Sequence, residues 1–169
     1  MRVARLGERL ARRHGLCTRH ARLAGMLHDL ARLYSAPRLL QEAATRRLPV
    51  DDYARDHPIV LHGPLGAEIA REEFGISDEP ILSAIRKHTL GAREMSALDC
   101  VVYLADGLEP GRTFAGREEI LALAFENLHQ AMAATLHSSF LFLREKGLAA
   151  APQSLLAADT FGVVADSWR

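Results

Sequence analysis

The chain has 169 residues, a length that indicates one domain large enough to bury a core without cross-links. Hydrophobic residues make up 49% and charged residues 25%, which is typical of a folded globular protein and argues against a disordered or membrane-spanning chain. The first residues lack the apolar core of a signal peptide, and no stretch approaches about 18 uncharged apolar residues. A cytoplasmic location is therefore predicted.

The net charge is zero, but the charges are distributed unevenly along the chain. Residues 1–47 carry 11 Arg against three acidic residues, a local charge of +8, which leaves −8 for the remainder. Such a field could attract a polyanion such as a nucleotide or RNA. Because Arg-rich helix faces usually serve as solvated surface, a nucleic-acid partner is not predicted.

A helical period governs the apolar residues of the first third of the chain. Val3, Leu6 and Leu10 predict a first helix. A second is predicted from Ala21 to Tyr34 with Thr18 as its N-cap, and a third near Leu39. Residues 46–60 contain two prolines and are predicted to be a loop with a short helical turn.

The same period continues through the remaining residues, and glycines and prolines mark where the predicted helices begin and end. The predicted helices there are one opened by Gly63 and Pro64 and closed by Gly75, one begun by Asp78 and Pro80 that carries His88, one capped by Ser96 that ends near Pro110, and a long amphipathic stretch over residues 117–146. Strand alternation is absent from the pattern.

These elements predict an all-α bundle of about six or seven helices without a sheet. The domain is predicted to cover residues 1–147, and residues 148–169 are predicted to form a partly loose C-terminal tail. The apolar face of the stretch 117–146, which includes Met132 and Leu136, is assigned first to the core. A homodimer formed through that face remains an open alternative.

Side chains that can bind a metal ion lie on four different predicted helices. His28 and Asp29 follow the apolar run LAGML, where a buried carboxylate is costly unless a positive charge meets it. His62 lies in LHGPLG, His88 in IRKHTLG and Asp106 in VVYLAD. Inward-facing ligands from separate helices can converge on one point, as they do in helical metalloproteins.

Mixed imidazole and carboxylate ligation suits Fe, Mn, Co or Zn, and a carboxylate such as Asp29 can bridge two ions. Two ions about 3.5–4 Å apart can activate a bridging hydroxide and polarise a phosphoryl oxygen. An isolated helical histidine is more often a capped or solvent-facing residue than a ligand. The spacing alone leaves both interpretations open.

Four segments resemble, in order and spacing, those of the YqeK-type HD-domain phosphohydrolases. They are LAGMLHDLAR, VLHGPLGAEIAREEFGI, AIRKHTLG and MSALDCVVYLADGLEPGR, and the last is the most specific. The resemblance runs from the first residues to about residue 146. The superfamily takes its metal ligands from a motif H…HD…H…D, and this subfamily uses extra histidines to hold a second metal ion.

The resemblance implies symmetrical hydrolysis of diadenosine tetraphosphate into two ADP by a metal-activated hydroxide. It implies two divalent or mixed-valence metal ions, iron first, with Mn or Co as alternatives. The implied ligands are His28, Asp29, His62, His88 and Asp106, with Asp29 as the bridge and as a catalytic residue. Arg32 and Arg112 are the implied catalytic contacts to phosphate. Lys87, Thr89, Gly91 and Glu109 flank the site and are implied contacts to polyphosphate or nucleotide.

The amino terminus departs from the family pattern, which begins with a histidine ligand three residues before Arg-Val-Ala. In this chain Arg2 follows Met1 directly, so that ligand would precede Met1. A late start, trimming or real loss of the ligand would each explain it, and His14 and His20 are poor replacements.

Two further functions stay open. One is hydrolysis of another nucleotide, and the other is a degenerate domain that binds a nucleotide or protein partner without turnover.

Overall fold

The computed structural model describes residues 1–164, in which helices joined by turns and loops are the regular structure and no strand occurs. Its helices are α1 (Arg2–Arg13), α2 (Thr18–Leu27), α3 (Ala36–Thr45), α4 (Asp52–Asp56), α5 (His62–Phe74), α6 (Glu79–Lys87), α7 (Ala97–Leu108), α8 (Arg117–Glu126), α9 (Leu128–Glu145) and α10 (Pro152–Thr160), with a 3₁₀ helix at Pro58–Leu61 before α5. The prediction of an all-α fold without a sheet is confirmed. None of these helices has the length and apolar character needed to cross a membrane.

The described residues form ten α-helices rather than six or seven, because the predicted loop 46–60 contains α4, the predicted stretch 117–146 is divided into α8 and α9, and the predicted tail contains α10. Within residues 46–60, Asp51 starts α4 by accepting a hydrogen bond from the backbone N–H of Ala54 at 2.8 Å. The long stretch 117–146 is broken at Asn127, whose backbone is extended. The Asn127 side chain accepts a hydrogen bond from the N–H of Gln130 at 3.1 Å and so begins α9, a role for which Asn is a preferred residue.

The second predicted helix ends seven residues early. Helix α2 stops at Leu27, and Cys17 rather than Thr18 is its N-cap residue. Residues 28–34 form turns in which the N–H groups of Leu30, Arg32 and Tyr34 donate to the carbonyl three residues earlier, as from Arg32 to Asp29 at 2.9 Å. His28 and Asp29 therefore lie just beyond a helix end and not inside a helix as predicted.

Helix α7 is the central element of the fold, and nine of its 12 residues are buried. It packs against α1, α2, α6, α8 and α9, and α9 contributes Met132 and Leu136 to the same core. Ser96 caps it as predicted. The Ser96 hydroxyl accepts from the N–H of Asp99 at 3.2 Å, and the Asp99 carboxylate accepts from the N–H of Ser96 at 2.8 Å. A rigid, buried helix thus carries Asp106 in its last turn.

Helix α10 packs against the domain from within the predicted tail. Ala157, Ala158 and Phe161 are buried in the main core, and the ring of His129 lies 5.1 Å from that of Phe161. The Ser154 hydroxyl donates to the carbonyl of Leu90 at 2.8 Å. The boundary at residue 147 stays a prediction, and residues 165–169 of the predicted tail lie outside the described residues.

Replacing Phe161 with Ala tests whether α10 is an integral part of the domain. Removing a buried phenyl ring leaves a cavity, so we expect the free energy of unfolding to fall by about 3–5 kcal/mol in chemical denaturation. Phe74→Ala is the matched control, because Phe74 is 52% exposed and its loss should cost about 0.5 kcal/mol or less. Equal stability of the two variants would instead support a loose tail after residue 147.

Candidate metal centre

The five implied metal ligands lie at helix ends and converge in space. His28 and Asp29 follow α2, His62 is the first residue of α5, His88 follows α6, and Asp106 lies in the last turn of α7. Their donor atoms form two overlapping groups, each lying within 4.8 Å, one of His28, His88 and Asp106 and one of Asp29, His62 and His88. The structure therefore brings together side chains that are up to 78 positions apart in the sequence.

Each of the three histidines is held by a hydrogen bond from its Nδ1–H to the backbone carbonyl three residues earlier. The bonds run from His28 to Gly25 at 2.9 Å, from His62 to Ile59 at 2.5 Å and from His88 to Ile85 at 2.7 Å. A carbonyl only accepts, so the proton of the neutral ring lies on Nδ1 and the electron pair on Nε2. All three rings present Nε2 as the atom available to a metal ion.

The Nε2 atoms and the carboxylates lie close to one another. The Nε2 atoms of His62 and His88 are 3.0 Å apart. Asp29 places Oδ2 at 3.3 Å from Nε2 of His28 and Oδ1 at 3.4 Å from Nε2 of His62. Asp106 places Oδ1 at 3.7 Å from Nε2 of His28. The two oxygens of Asp29 thus face different imidazoles.

The residues present fit a divalent cation. Two electron pairs face each other between His62 and His88, and the Thr89 hydroxyl, at 3.1 Å from each Nε2, carries only one proton to donate. At least one of these nitrogens therefore needs a positive partner. Imidazole and carboxylate donors in this combination suit Fe, Mn, Co or Zn.

Burial and pairing shift the pKa values of the cluster in opposite directions. Burial lowers the pKa of His88 to about 4, so this ring is a neutral electron-pair donor. Burial also acts to lower the pKa of His28, but hydrogen bonds with Asp106 and Asp29 outweigh it and raise the pKa to about 9. Burial acts to raise the pKa of the Asp29 carboxyl, but the hydrogen bond and the positive charge of His28 outweigh burial and hold that pKa well below its usual range. Without a metal ion, a proton on His28 balances the carboxylates, and metal binding must displace that proton.

Gly63 allows α5 to approach the end of α6. A Cβ atom at this position would lie 2.9 Å from the carbonyl oxygen of Arg86 and 3.3 Å from Oγ1 of Thr89. Any side chain there would push the two helices apart. The close approach is what brings His62 next to His88.

The cluster borders a cavity of about 600 Å³ that is lined by side chains of two chemical kinds. The polar lining includes Asp29, His62, His88 and Asp106 together with Arg32, Thr89 and Arg112. The mainly apolar lining includes Tyr53, Leu90, Tyr103, Phe114, Phe140, Phe142 and Leu143. Sequence reasoning missed this apolar wall, because Phe114 and Phe142 lie in amphipathic or irregular segments where an aromatic residue gives no distinctive pattern.

Three of the implied substrate contacts do not line this cavity. The ammonium group of Lys87 donates to Asp99 Oδ2 at 2.9 Å and to the carbonyl of Glu94 at 2.8 Å. The Glu109 carboxylate is buried against the guanidinium of Arg2 at 2.8 Å. Gly91 has a left-handed backbone, with φ of 70°, and packs beside α10. The substrate contacts of these three residues stay a prediction, whereas Arg32, Thr89 and Arg112 do line the cavity.

Removing one imidazole tests the metal centre. We expect His62→Ala to lose at least one metal ion per chain in elemental analysis, because the group of Asp29, His62 and His88 then keeps only two of its three donor atoms. Excess metal at 100 times its Kd should stabilise the unmodified protein by about 2.7 kcal/mol, and a chelator should reverse this. His57→Ala, which removes an exposed histidine outside the cluster, is the control. Full metal content in His62→Ala would contradict the assignment.

The family model described as HD domain matches residues 1–111. The symmetrical bis(5'-nucleosyl)-tetraphosphatase of Bacillus subtilis (strain 168) is 36% identical over 148 residues, which cover 87% of this chain and 78% of that protein. The protein of the same name from Halalkalibacterium halodurans is 35% identical over 146 residues, 86% of this chain and 78% of its own. A crystal structure from Clostridium acetobutylicum, described as a predicted HD superfamily hydrolase involved in NAD metabolism, matches with a TM-score of 0.91 at 31% identity, over 95% of this chain and 85% of that one. The protein belongs to the HD-domain family and is one of its phosphohydrolases.

Proposed function

We propose that the protein hydrolyses diadenosine tetraphosphate symmetrically into two ADP at a site that holds two divalent metal ions. The observation that carries the proposal is the convergence of three imidazole Nε2 atoms and two carboxylates beside a cavity that also has an apolar lining. The named activity of the Bacillus subtilis and Halalkalibacterium halodurans relatives supports the choice of substrate. Iron is the proposed metal, with Mn or Co as alternatives.

His28, His62, His88 and Asp106 would hold the metal ions, with Asp29 between them. The two oxygens of Asp29 point toward two different imidazoles, at 3.3 Å and 3.4 Å, which suits a bridging carboxylate. When bound, two such ions lower the pKa of a water molecule and neutralise charge on the phosphoryl oxygens. The Nδ1–H bonds of the three histidines keep their rings oriented before any ion arrives.

Two arginines of the polar lining would bind the polyphosphate chain. Arg112 donates from Nη2 to Asp106 Oδ1 at 2.7 Å and from Nε to the Asp106 carbonyl at 3.1 Å, and its side chain is half exposed. Its other N–H groups can therefore reach a ligand in the cavity. Arg32 is exposed at the cavity edge. Planar guanidinium groups bind phosphate oxygens in pairs, and this geometry suits a chain of phosphates.

The apolar lining of the cavity would hold a nucleoside. Phe114 and Phe142 expose aromatic surface there, on which a base can stack. The hydroxyls of Thr135 and Ser154 each donate their proton to a backbone carbonyl, so their oxygens remain as acceptors. Ribose hydroxyls and an exocyclic amino group are donors that match them. A nucleotide has a phosphate for the polar lining and a base for the apolar lining, whereas inorganic phosphate matches only the polar lining.

The product pattern tests the reaction. Metal-loaded protein incubated with diadenosine tetraphosphate should give ADP as the sole nucleotide product in chromatography. In ¹⁸O-labelled water, one of every two ADP molecules should carry a single label, because one water molecule is added per bond broken. ATP with AMP would contradict symmetrical cleavage. No turnover by fully metal-loaded protein, or turnover of a different nucleotide alone, would contradict the substrate.

The role of the apolar wall is tested by Phe142→Ala. Because stacking on an aromatic side chain contributes about 1–3 kcal/mol per base, we expect KM for diadenosine tetraphosphate to rise about five- to hundredfold with little change in kcat. Phe74→Ala is the control, since Phe74 is similarly exposed, at 52% against 56%, but does not line the cavity. Identical kinetics of the two variants would contradict the proposal that a base stacks on Phe142.

A further inference from the structure

The turn that follows α7 is fixed by a buried carboxylate. Helix α7 ends at Leu108, and Pro110 cannot continue it. The Glu109 carbonyl accepts from the N–H of Arg112 at 2.9 Å, and the Glu109 carboxylate accepts from the N–H of Gly111 at 2.8 Å. One residue therefore binds the backbone of the turn at two points.

The same carboxylate pairs with a cation from the first helix. Nε of Arg2 lies 2.8 Å from Oε2 of Glu109, and only 9% of the Glu109 side chain is exposed. A buried carboxylate is costly without a positive partner, and the Arg2 guanidinium supplies that partner.

Gly111 shows how closely the guanidinium lies on the turn. A Cβ atom on Gly111 would be 2.6 Å from Nη2 of Arg2 and 2.6 Å from Oε1 of Glu109. A side chain at this position would displace the ends of the Arg2 and Glu109 side chains from the turn. The ion pair and the turn are therefore one packed unit.

The turn sets the position of Arg112. The side chain of Arg112 leaves this turn and reaches back to Asp106, with Nη2 at 2.7 Å from Oδ1 and Nε at 3.1 Å from the carbonyl. Asp106 Oδ1 is in turn 3.7 Å from Nε2 of His28. A shift of the turn would move the guanidinium relative to the cluster and the cavity.

We propose that Arg2 and Glu109 are a positioning pair that holds Arg112 in place to bind a phosphate group of the substrate. Neither residue lines the cavity, so both act through Arg112 and not by touching the substrate. This assigns Glu109 a different role from the substrate contact that the family resemblance implied. The inference rests on the proposed function in one respect, namely that Arg112 binds phosphate.

The experiment measures the affinity of the metal-loaded protein for inorganic tripolyphosphate by calorimetry, together with kcat and KM for diadenosine tetraphosphate. Arg112→Ala should weaken tripolyphosphate binding about tenfold or more, as expected for a lost charge-assisted hydrogen bond. Arg2→Ala and Glu109→Gln should each weaken it about three- to tenfold, a part of the same loss. In the Arg112→Ala background, neither should cause a further loss, because both act through Arg112.

Arg12→Ala is the matched control. Arg12 lies on the same helix, is 67% exposed against 68% for Arg2, and is paired with Glu8 at 2.9 Å. It should leave tripolyphosphate affinity and kinetics unchanged. Metal content should be unchanged in every variant, which separates positioning of Arg112 from damage to the metal centre. Arg2→Lys, which keeps the charge, should recover part of the affinity.

Additive losses in the double variants, loss of metal in Arg2→Ala or Glu109→Gln, or an Arg112→Ala variant that binds as the unmodified protein does would each overturn the inference. Tripolyphosphate binding does not depend on which dinucleotide is cleaved. The expected pattern in binding without hydrolysis of diadenosine tetraphosphate would therefore support the positioning pair while rejecting the proposed substrate.

Discussion

The arrangement of the site depends on three backbone carbonyls that orient three imidazoles. The last carbonyls of a helix have no partner within the helix, and a histidine placed just beyond can satisfy one of them. Gly25 and Ile85 supply such carbonyls from the last turns of α2 and α6, and Ile59 supplies one from the 3₁₀ helix before α5. Because each bond uses Nδ1–H, each Nε2 is left as an electron-pair donor. The convergence of donors follows from where these helices end.

Helix α7 is held at both ends by a buried carboxylate that meets a cation from another helix. At its beginning, Asp99 is fully buried and pairs with Lys87 of α6 at 2.9 Å. At its end, Glu109 pairs with Arg2 of α1. Asp106 lies between these two points, one turn before the second. Breaking either pair would leave a buried carboxylate without its cation, which is costly, so the two pairs favour one position for the helix.

The fold class could be predicted because helical periodicity is a local property of the sequence. The ends of helices were less predictable, and residues 28–34 show the reason. Leu30, Ala31 and Tyr34 continue the apolar period although the backbone has left the helix, because they pack into a second core cluster around Leu39 and Leu65. The apolar pattern of residues 28–34 therefore reflects their burial, although their backbone lacks the hydrogen bonds that define an α-helix. The capping signal at Ser96 was reliable because both of its hydrogen bonds are with Asp99, three residues away.

Some charged residues near the site face the cavity and others hold a neighbouring element in place, and proximity in the sequence does not predict which. Successive helical residues point about 100° apart, so a neighbour of His88 such as Lys87 faces a different element, here Asp99. The partner of Glu109 is Arg2, at the other end of the sequence, and only the packing of α1 against α7 brings them together. A charged residue next to a candidate ligand therefore either faces the cavity, as Arg112 does, or fixes the element that carries the ligand. Residues that fix such an element act on the site only through the atoms they hold in place. Their role therefore follows from the contacts in the structure and not from the sequence motif.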